Sequence, residues 1–307
     1  MQARIKGITE DPYYIASPNL LSRLEWRRAP GGVSKLFPKV PKSEPDSEEE
    51  PKLREPAELR FFGVVDDSPV NFYLLPDGGW SPKSRSAFHA QKATAVIQPP
   101  DEDEPGADHW PSIAKAALEI MRSKKTPGAG MGYGLGKNGG LKVRHALFQR
   151  IEPANDSGSN DENIVGTGKP STGEDNNSGR GSQSSNVLDD GQLLLANWPT
   201  TSPEAKAQLE CLISEGKWEA NPLAAYDRHG NLIHPTEYGA LLRGAFVEVK
   251  VHIVHQHIAQ SNTNNYYADI QEMRIIMDKP LCSYTPIKKR IREELTRASR
   301  KRMRTEH

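Results

Sequence analysis

The side chains able to do chemistry in this chain are gathered at two places, a basic block near the C-terminus and a strand-like run in the first half. In KKRIREELTRASRKRMR, Lys288–Arg304, nine basic residues stand against Glu293 and Glu294. The block therefore carries +7 and, the whole chain being neutral, the remainder carries −7. Cations at this density suit phosphate or an acidic receptor groove. Lys288 and Lys289 precede Arg300, Lys301, Arg302 and Arg304 by ten residues. Two basic clusters at that separation match a bipartite nuclear-import signal, which implies an import receptor as partner and the nucleus as location. Ile291, Leu295 and Ala298 add a thin apolar stripe, so the import reading comes first and Arg297, Arg300, Lys301, Arg302 and Arg304 are, compatibly with it, candidates for contact with nucleic acid. In LKVRHALFQRI, strand alternation puts Leu141, Val143 and Leu147 on one side. Lys142, Arg144 and Arg150 fall on the other with Phe148, an aromatic on which a base can stack.

Other arrangements lead nowhere catalytic. Gly134-x-Gly136-x-x-Gly139 satisfies a dinucleotide-binding pattern on paper, but it precedes a strand instead of following one. A phosphate loop is excluded because Asn138 stands where a magnesium-binding Ser or Thr is required. His255 and His257 share a strand face, as two metal ligands do, yet no third ligand follows at a fixed spacing. Neither Ser, Cys nor carboxylate sits in a motif that demands it. The expectation is a non-enzymatic binding protein with no cofactor and no metal. Cys211 and Cys282 supply no disulfide framework, which fits a reducing compartment.

These residues need elements to position them. Residues 39–57 combine proline with a run of acids, and 153–190 hold only Ala154, Ile164, Val165, Val187 and Leu188 as apolar residues. Neither segment buries enough to offset its ordering entropy, so an acidic disordered linker and a disordered insertion are expected. The N-terminal arm, 1–38, carries Tyr13, Tyr14, Leu20, Leu21, Leu24 and Trp26 for docking, with a short helix over Asn19 to Arg28. ELRFFGVV and VNFYLLP read as a hairpin about Asp66–Pro69, and AFHAQKATAVIQPP adds a strand. DHWPSIAKAALEIMRSKK places Ile113, Ala117, Ile120 and Met121 on one helical face. After the insertion, GQLLLANW reads as a strand. The following helix is capped by Thr201 or Ser202, stops at Gly216 and sends Leu209, Leu212 and Ile213 to the core. Asp227, Gly230 and Asn231 make a turn, and Pro235 holds His234 extended. GAFVEVKVHIVHQHI alternates over unusual length and pairs with YYADIQEMRIIMDKP across a polar loop, forming a long hairpin.

Three resemblances attach to these residues. The run NPLAAYDRHGNLIHPTEYGALLRGAFVEVKVHI, followed by a polar loop and YYADIQEMRII, looks like the C-terminal part of a family of basidiomycete fungal proteins, which implies no activity. The pattern Asp227, Gly230, Pro235, Tyr238, Gly244, Ala245 and Val247 resembles phage single-stranded DNA-binding proteins built on an OB fold. That resemblance covers some sixty residues and implies single-stranded DNA as ligand. GYGLGKNGG resembles the core of a G-patch and implies an RNA helicase as partner, although RSKKTPGAG separates it from the preceding helix.

Together these readings predict an α+β, β-rich domain, OB-like, in two stretches, 58–152 and 191–282, with a disordered insertion between them and disordered flanks. The basic tail occupies 283–307. The expected function is nuclear binding of nucleic acid, with single-stranded DNA the preferred form. The alternative is an adaptor that recruits a helicase through the glycine-rich segment.

Overall fold

Two long apolar-alternating strands organise the protein. Phe246–Ile258 and Thr263–Met277 pair antiparallel along their whole length, joined by a turn at 259–262 in which Asn262 takes a left-handed backbone. The structure, a computed structural model, describes residues 1–39, 55–132, 136–137, 139–151 and 193–279. The expectations for the insertion, for the basic tail and for most of the acidic linker lie outside these residues.

In chain order the strands are β1 (Leu24–Ala29), β2 (Val33–Pro38), β3 (Leu59–Val65), β4 (Phe72–Tyr73), β5 (Lys92–Gln98), β6 (Gly130–Met131) and β7 (Gly136–Lys137). They continue with β8 (Gly140–Ala146), β9 (Phe148–Arg150), β10 (Trp218–Ala220), β11 (Ala225–Tyr226), β12 (Phe246–Ile258) and β13 (Thr263–Met277). The helices are α1 (Gln2–Thr9), α2 (Trp110–Ser123), α3 (Pro203–Glu215) and the single turn α4 (Tyr238–Leu241).

Five strands close on themselves. β3 pairs with β5, β5 with β8, β8 with β13, β13 with β12, and β12 with β3. Every pairing is antiparallel except β8 with β13, which is parallel and spans only two residue pairs. A five-stranded ring whose third and fifth strands run parallel has the topology of the OB fold, a partly open Greek-key barrel. The expected α+β, OB-like class is therefore what the chain adopts, with β3, β5, β8, β12 and β13 as its first to fifth barrel strands.

The inward residues of these strands make the core. Phe61, Ala93, Ala95, Ile97, Val143, Val247, Val249, Val251, Ile253, Ala268 and Ile270 are all buried. Each Val or Ile removed from water contributes about 1.5–3 kcal/mol. The amphipathic α2 buries Trp110, Ile113, Ala117, Ile120 and Met121, the face its spacing predicts. α3 lies between the third and fourth barrel strands. Ser202 caps it by accepting from the Ala205 amide, and it closes at Gly216.

Several local expectations are corrected. The N-terminal arm does dock, burying Tyr14, Leu20 and Leu24. However, Asn19 to Arg28 is a short 3-10 turn, Leu20–Arg23, followed by β1, which forms a hairpin with β2 about Pro30–Gly32. Leu24 is buried and the two arginines after Trp26 are exposed, and the segment is a strand because its backbone pairs with β2 over six residue pairs, which a helical reading misses. The sequence pattern does not announce α1. That helix buries Ile5 and Ile8 and sends Arg4 to the buried Glu248 carboxylate at 2.6 Å.

The expected β3–β4 hairpin does not form. Both strands lie along β5, because Asp66 accepts bonds from the Ser68 amide, Asn71 and Gln98 and so turns 66–71 into a bulge in one broken strand. Residues 193–198 contain a 3-10 turn, Leu195–Asn197, and no strand, since Trp198 turns inward to donate to the Pro76 carbonyl at 2.8 Å. Ile213 is exposed at 41% while Leu209 and Leu212 are buried.

Candidate nucleic-acid interface

In an OB barrel the outer surface of the second and third strands, with the loop between the first and second, is where oligonucleotides and oligosaccharides are held. Here those strands are β5 and β8. Register places one residue from each neighbouring strand in a row across that surface: Tyr73 opposite Thr94, Thr94 opposite Arg144, Arg144 opposite Asp269, and Asp269 opposite His252. Lys142 lies two residues from Arg144 on the same face and is exposed, whereas Lys92 lies two residues from Thr94 and is half-buried. Successive strand residues alternate between faces, so the barrel interior takes Ala93, Ala95 and Val143 while the cations stay outside.

Arg144 is held in place. Its Nε and Nη2 donate to the two carboxylate oxygens of Asp269, and its guanidinium lies over the Tyr267 ring, 3.5 Å from the centroid. A flat, fixed guanidinium on an aromatic ring presents a planar surface to a base. Burial, with Arg144 and Lys35 nearby, holds the Lys92 ammonium below the usual lysine range, against the opposing pull of Asp269. His252 is lowered by burial first and then by Lys35. Lys92 and Arg144 thus repel one another across this face with Asp269 opposing, and His252 is held towards its neutral form.

The loop between β3 and β5 borders this face and is rigidly anchored. The buried Asp77 carboxylate accepts from the Gly79 amide at 3.0 Å, from the Thr201 amide at 2.8 Å and from the Thr201 hydroxyl. The Tyr73 ring lies so close to Gly79 that a Cβ there would sit 2.6 Å from it, and Gly79 also has φ +65°. Only glycine combines that conformation with that approach. Trp80 stacks edge-on against Phe88, 5.4 Å between centroids, and Lys83 and Arg85 are exposed beyond it.

The residues singled out in the sequence fare differently. Lys142 and Arg144 do share the basic face. Arg150 is exposed but belongs to β9, which leaves the barrel and pairs with β10 in a separate two-stranded sheet. Phe148 is not on the basic face. It is 4% exposed, with the rings of Phe88 and Trp198 5.1 and 6.2 Å away. The strand alternation breaks at Leu147: Asn221 donates from its side chain to Ala146 and from its amide to Leu147, and the chain turns out of the barrel there.

Lys288, Lys289, Arg297, Arg300, Lys301, Arg302 and Arg304 lie outside the described residues, as do Tyr133, Gly134, Leu135 and Asn138 of the G-patch-like core. Of that core, Gly140 fits against β5, where a Cβ would meet the Ile97 carbonyl at 2.6 Å. His255 is buried, and its Nε2 lies 2.9 Å from the Asn264 side-chain oxygen. Among the described residues no group of three or more His, Cys, Asp or Glu is arranged to hold a metal ion.

Tyr73, Tyr267, Lys92 and His252 do not stand out in the sequence. Each sits at an outward position of a strand, the one signal that could have flagged it, but only the register across the strands shows that they share a face. No family model matches the chain, and no curated protein matches it. Among solved structures it is similar to gp2.5, a single-stranded DNA-binding protein encoded by bacteriophage T7. That likeness has a TM-score of 0.35 and 11% identity, covering 74% of this chain and 91% of that one. The OB assignment rests on the strand pairings, not on this likeness.

Proposed function

We propose that this is a non-enzymatic, nuclear nucleic-acid-binding protein that lays single-stranded DNA across the outer face of β5 and β8. The observation that carries the reading is the row of register-matched residues: it brings Tyr73, Arg144 on Tyr267, Lys92 and Lys142 onto one surface of an OB barrel. Aromatic rings take bases by stacking, cations take the backbone, and together they favour a strand whose bases are free. The basic tail supplies import through Lys288, Lys289 and the Arg300 cluster, and adds phosphate contacts to those of the barrel.

The test is equilibrium binding of labelled single- and double-stranded oligonucleotides to the full chain over a salt series. Single strands should bind more tightly, with affinity falling steeply as salt rises. Lys142→Glu should weaken binding and flatten the salt slope by about 0.7 for each phosphate the variant no longer neutralises. Tyr73→Ala should cost about 1–3 kcal/mol for single strands. No binding of either form at low salt would overturn the reading.

A further inference from the structure

We infer that the hairpin of β1 and β2 continues the nucleic-acid surface beyond the barrel, Lys35 taking a phosphate of a single strand that has crossed β8, an inference that rests on the single-strand reading above. The hairpin has two faces. On one, Leu24 and Leu36 are buried beside Trp26, whose indole donates to the Ser123 hydroxyl at 2.9 Å and meets the His255 ring edge-on, 6.1 Å between centroids. That face fixes the hairpin to the body of the protein. Residues directly opposite in an antiparallel pair share a face, so the other side carries Glu25 with Phe37 and Arg27 with Lys35. Lys35 is also opposite Val254, which stands two residues along β12 from His252. The outer face of Arg144, Asp269 and His252 therefore runs on into Lys35. At about 4.8 Å between neighbouring strands, the β8 and β2 positions are about 14 Å apart across the sheet.

The charge of the hairpin points to the same use. Residues 23–39 hold five basic residues and one acid, in a chain that outside its C-terminal basic block sums to −7. Most of these cations are engaged in holding the arm. Arg23 donates to the Pro12 carbonyl and the Ser17 hydroxyl, and Lys39 to the Ser22 carbonyl. Arg27 donates to Glu25 and lies over the Phe37 ring, while Arg28 belongs to the opposite face. Lys35 is what remains. It is half-buried, and among the described residues neither it nor Lys92 has a carboxylate in ion-pair contact.

Lys35 and Lys92 nevertheless stand near enough to act on one another. Burial, then Arg144, then Lys35 lower the Lys92 ammonium, with Asp269 opposing. Lys35 acts on His252 as well, where Glu58, Asp269 and Glu55 oppose it. Placing a second half-buried cation beside Lys92 without a carboxylate in contact gains the folded chain nothing by itself. A phosphate oxygen accepting from the Lys35 ammonium gives that placement a use.

The experiment uses the full chain and a thymidine oligonucleotide of about 16 residues, the upper end of what one such barrel occupies. Lysines are acetylated with and without saturating oligonucleotide, and the modified positions are read by mass spectrometry. Modification of Lys35 should be lost in the complex, while Lys115, on α2 with its side chain 79% exposed, should react as before. Lys35→Ala should flatten the salt slope by about 0.7, one phosphate contact on a single strand. Lys35→Arg, which keeps the charge, should restore the slope. Lys35 modified equally in the free and bound protein overturns the inference, as does a Lys35→Ala slope equal to that of the wild type. A Lys35→Arg variant as impaired as Lys35→Ala, with a lowered urea midpoint in both, shows a merely structural role and overturns it too. Each of these leaves single-strand binding itself standing. Failure of the wild type to bind the oligonucleotide removes the functional reading as well.

Discussion

Replacing Phe148 by Ala removes a buried ring from beside the loop between β3 and β5, and its effect separates a core role for this residue from a base-stacking one. The ring is 4% exposed and lies 5.1 Å from Phe88 and 6.2 Å from Trp198. Phe88 in turn meets Trp80, and Trp198 donates to Pro76, so this small aromatic cluster ties the loop between β3 and β5 to the segment leading into α3. Truncating a buried Phe to Ala costs about 3–5 kcal/mol in transfer energy and cavity. Against a total stability of about 5–15 kcal/mol, that is a large fraction. Urea denaturation followed by tryptophan fluorescence should show the midpoint of Phe148→Ala far below the wild type. Under conditions where the variant remains folded, its ratio of single- to double-strand affinity should be unchanged. An unaltered midpoint with single-strand affinity reduced by the roughly 1–3 kcal/mol of one base stack would refute this placement of Phe148.

Three further outcomes are expected. His145 is buried with its Nε2–H donating to the Asn221 carbonyl, and burial holds its folded pKa below the ordinary 6.5; His252 and His255 shift the same way. The unfolded chain therefore takes up protons first, so stability present above about pH 6.5 should be lost as pH falls below it, and a flat urea midpoint between about pH 7.5 and 5.5 would contradict the burial of neutral imidazoles. Changing Lys288, Lys289, Arg300, Lys301 and Arg302 to Ala should leave an enlarged fluorescent fusion in the cytoplasm, whereas undiminished nuclear signal would remove the import role of the tail. Truncation after Tyr284 should weaken nucleic-acid binding and flatten its salt dependence while leaving measurable single-strand affinity, and complete loss would place all binding in the tail.

Periodicity made the two central elements of the fold legible. The 3.6-residue spacing of Ile113, Ala117, Ile120 and Met121 marks α2, and the strict alternation from Phe246 onward marks β12 and its partner. Where local signals competed with tertiary ones, the tertiary ones won. Asp66, Asp67, Ser68 and Pro69 carry hairpin chemistry, yet the Asp66 side chain uses it for a bulge. Trp198 ends a run of leucines that looks strand-like, but its indole is drawn to Pro76.

The site was half legible for the same reason. Lys142 and Arg144 announce a basic face through spacing within one strand. Tyr73 and Tyr267 come from strands far apart in the chain, and their sharing of one face depends on register, which no local pattern encodes. Phe148 failed because strand parity was extended through Leu147, where Asn221 ends the strand.

The central claim is that single-stranded DNA lies on the outer face of β5 and β8. Photo-crosslinking of the full chain to a single-stranded oligonucleotide substituted with iodouracil, which couples to aromatic side chains in stacking contact, tests it most directly when the attached peptides are mapped by mass spectrometry. Attachment at Tyr73, abolished on competition with unlabelled single strands, is the predicted result. Attachment at Phe148, or specific crosslinks that all fall away from the barrel face, would contradict it.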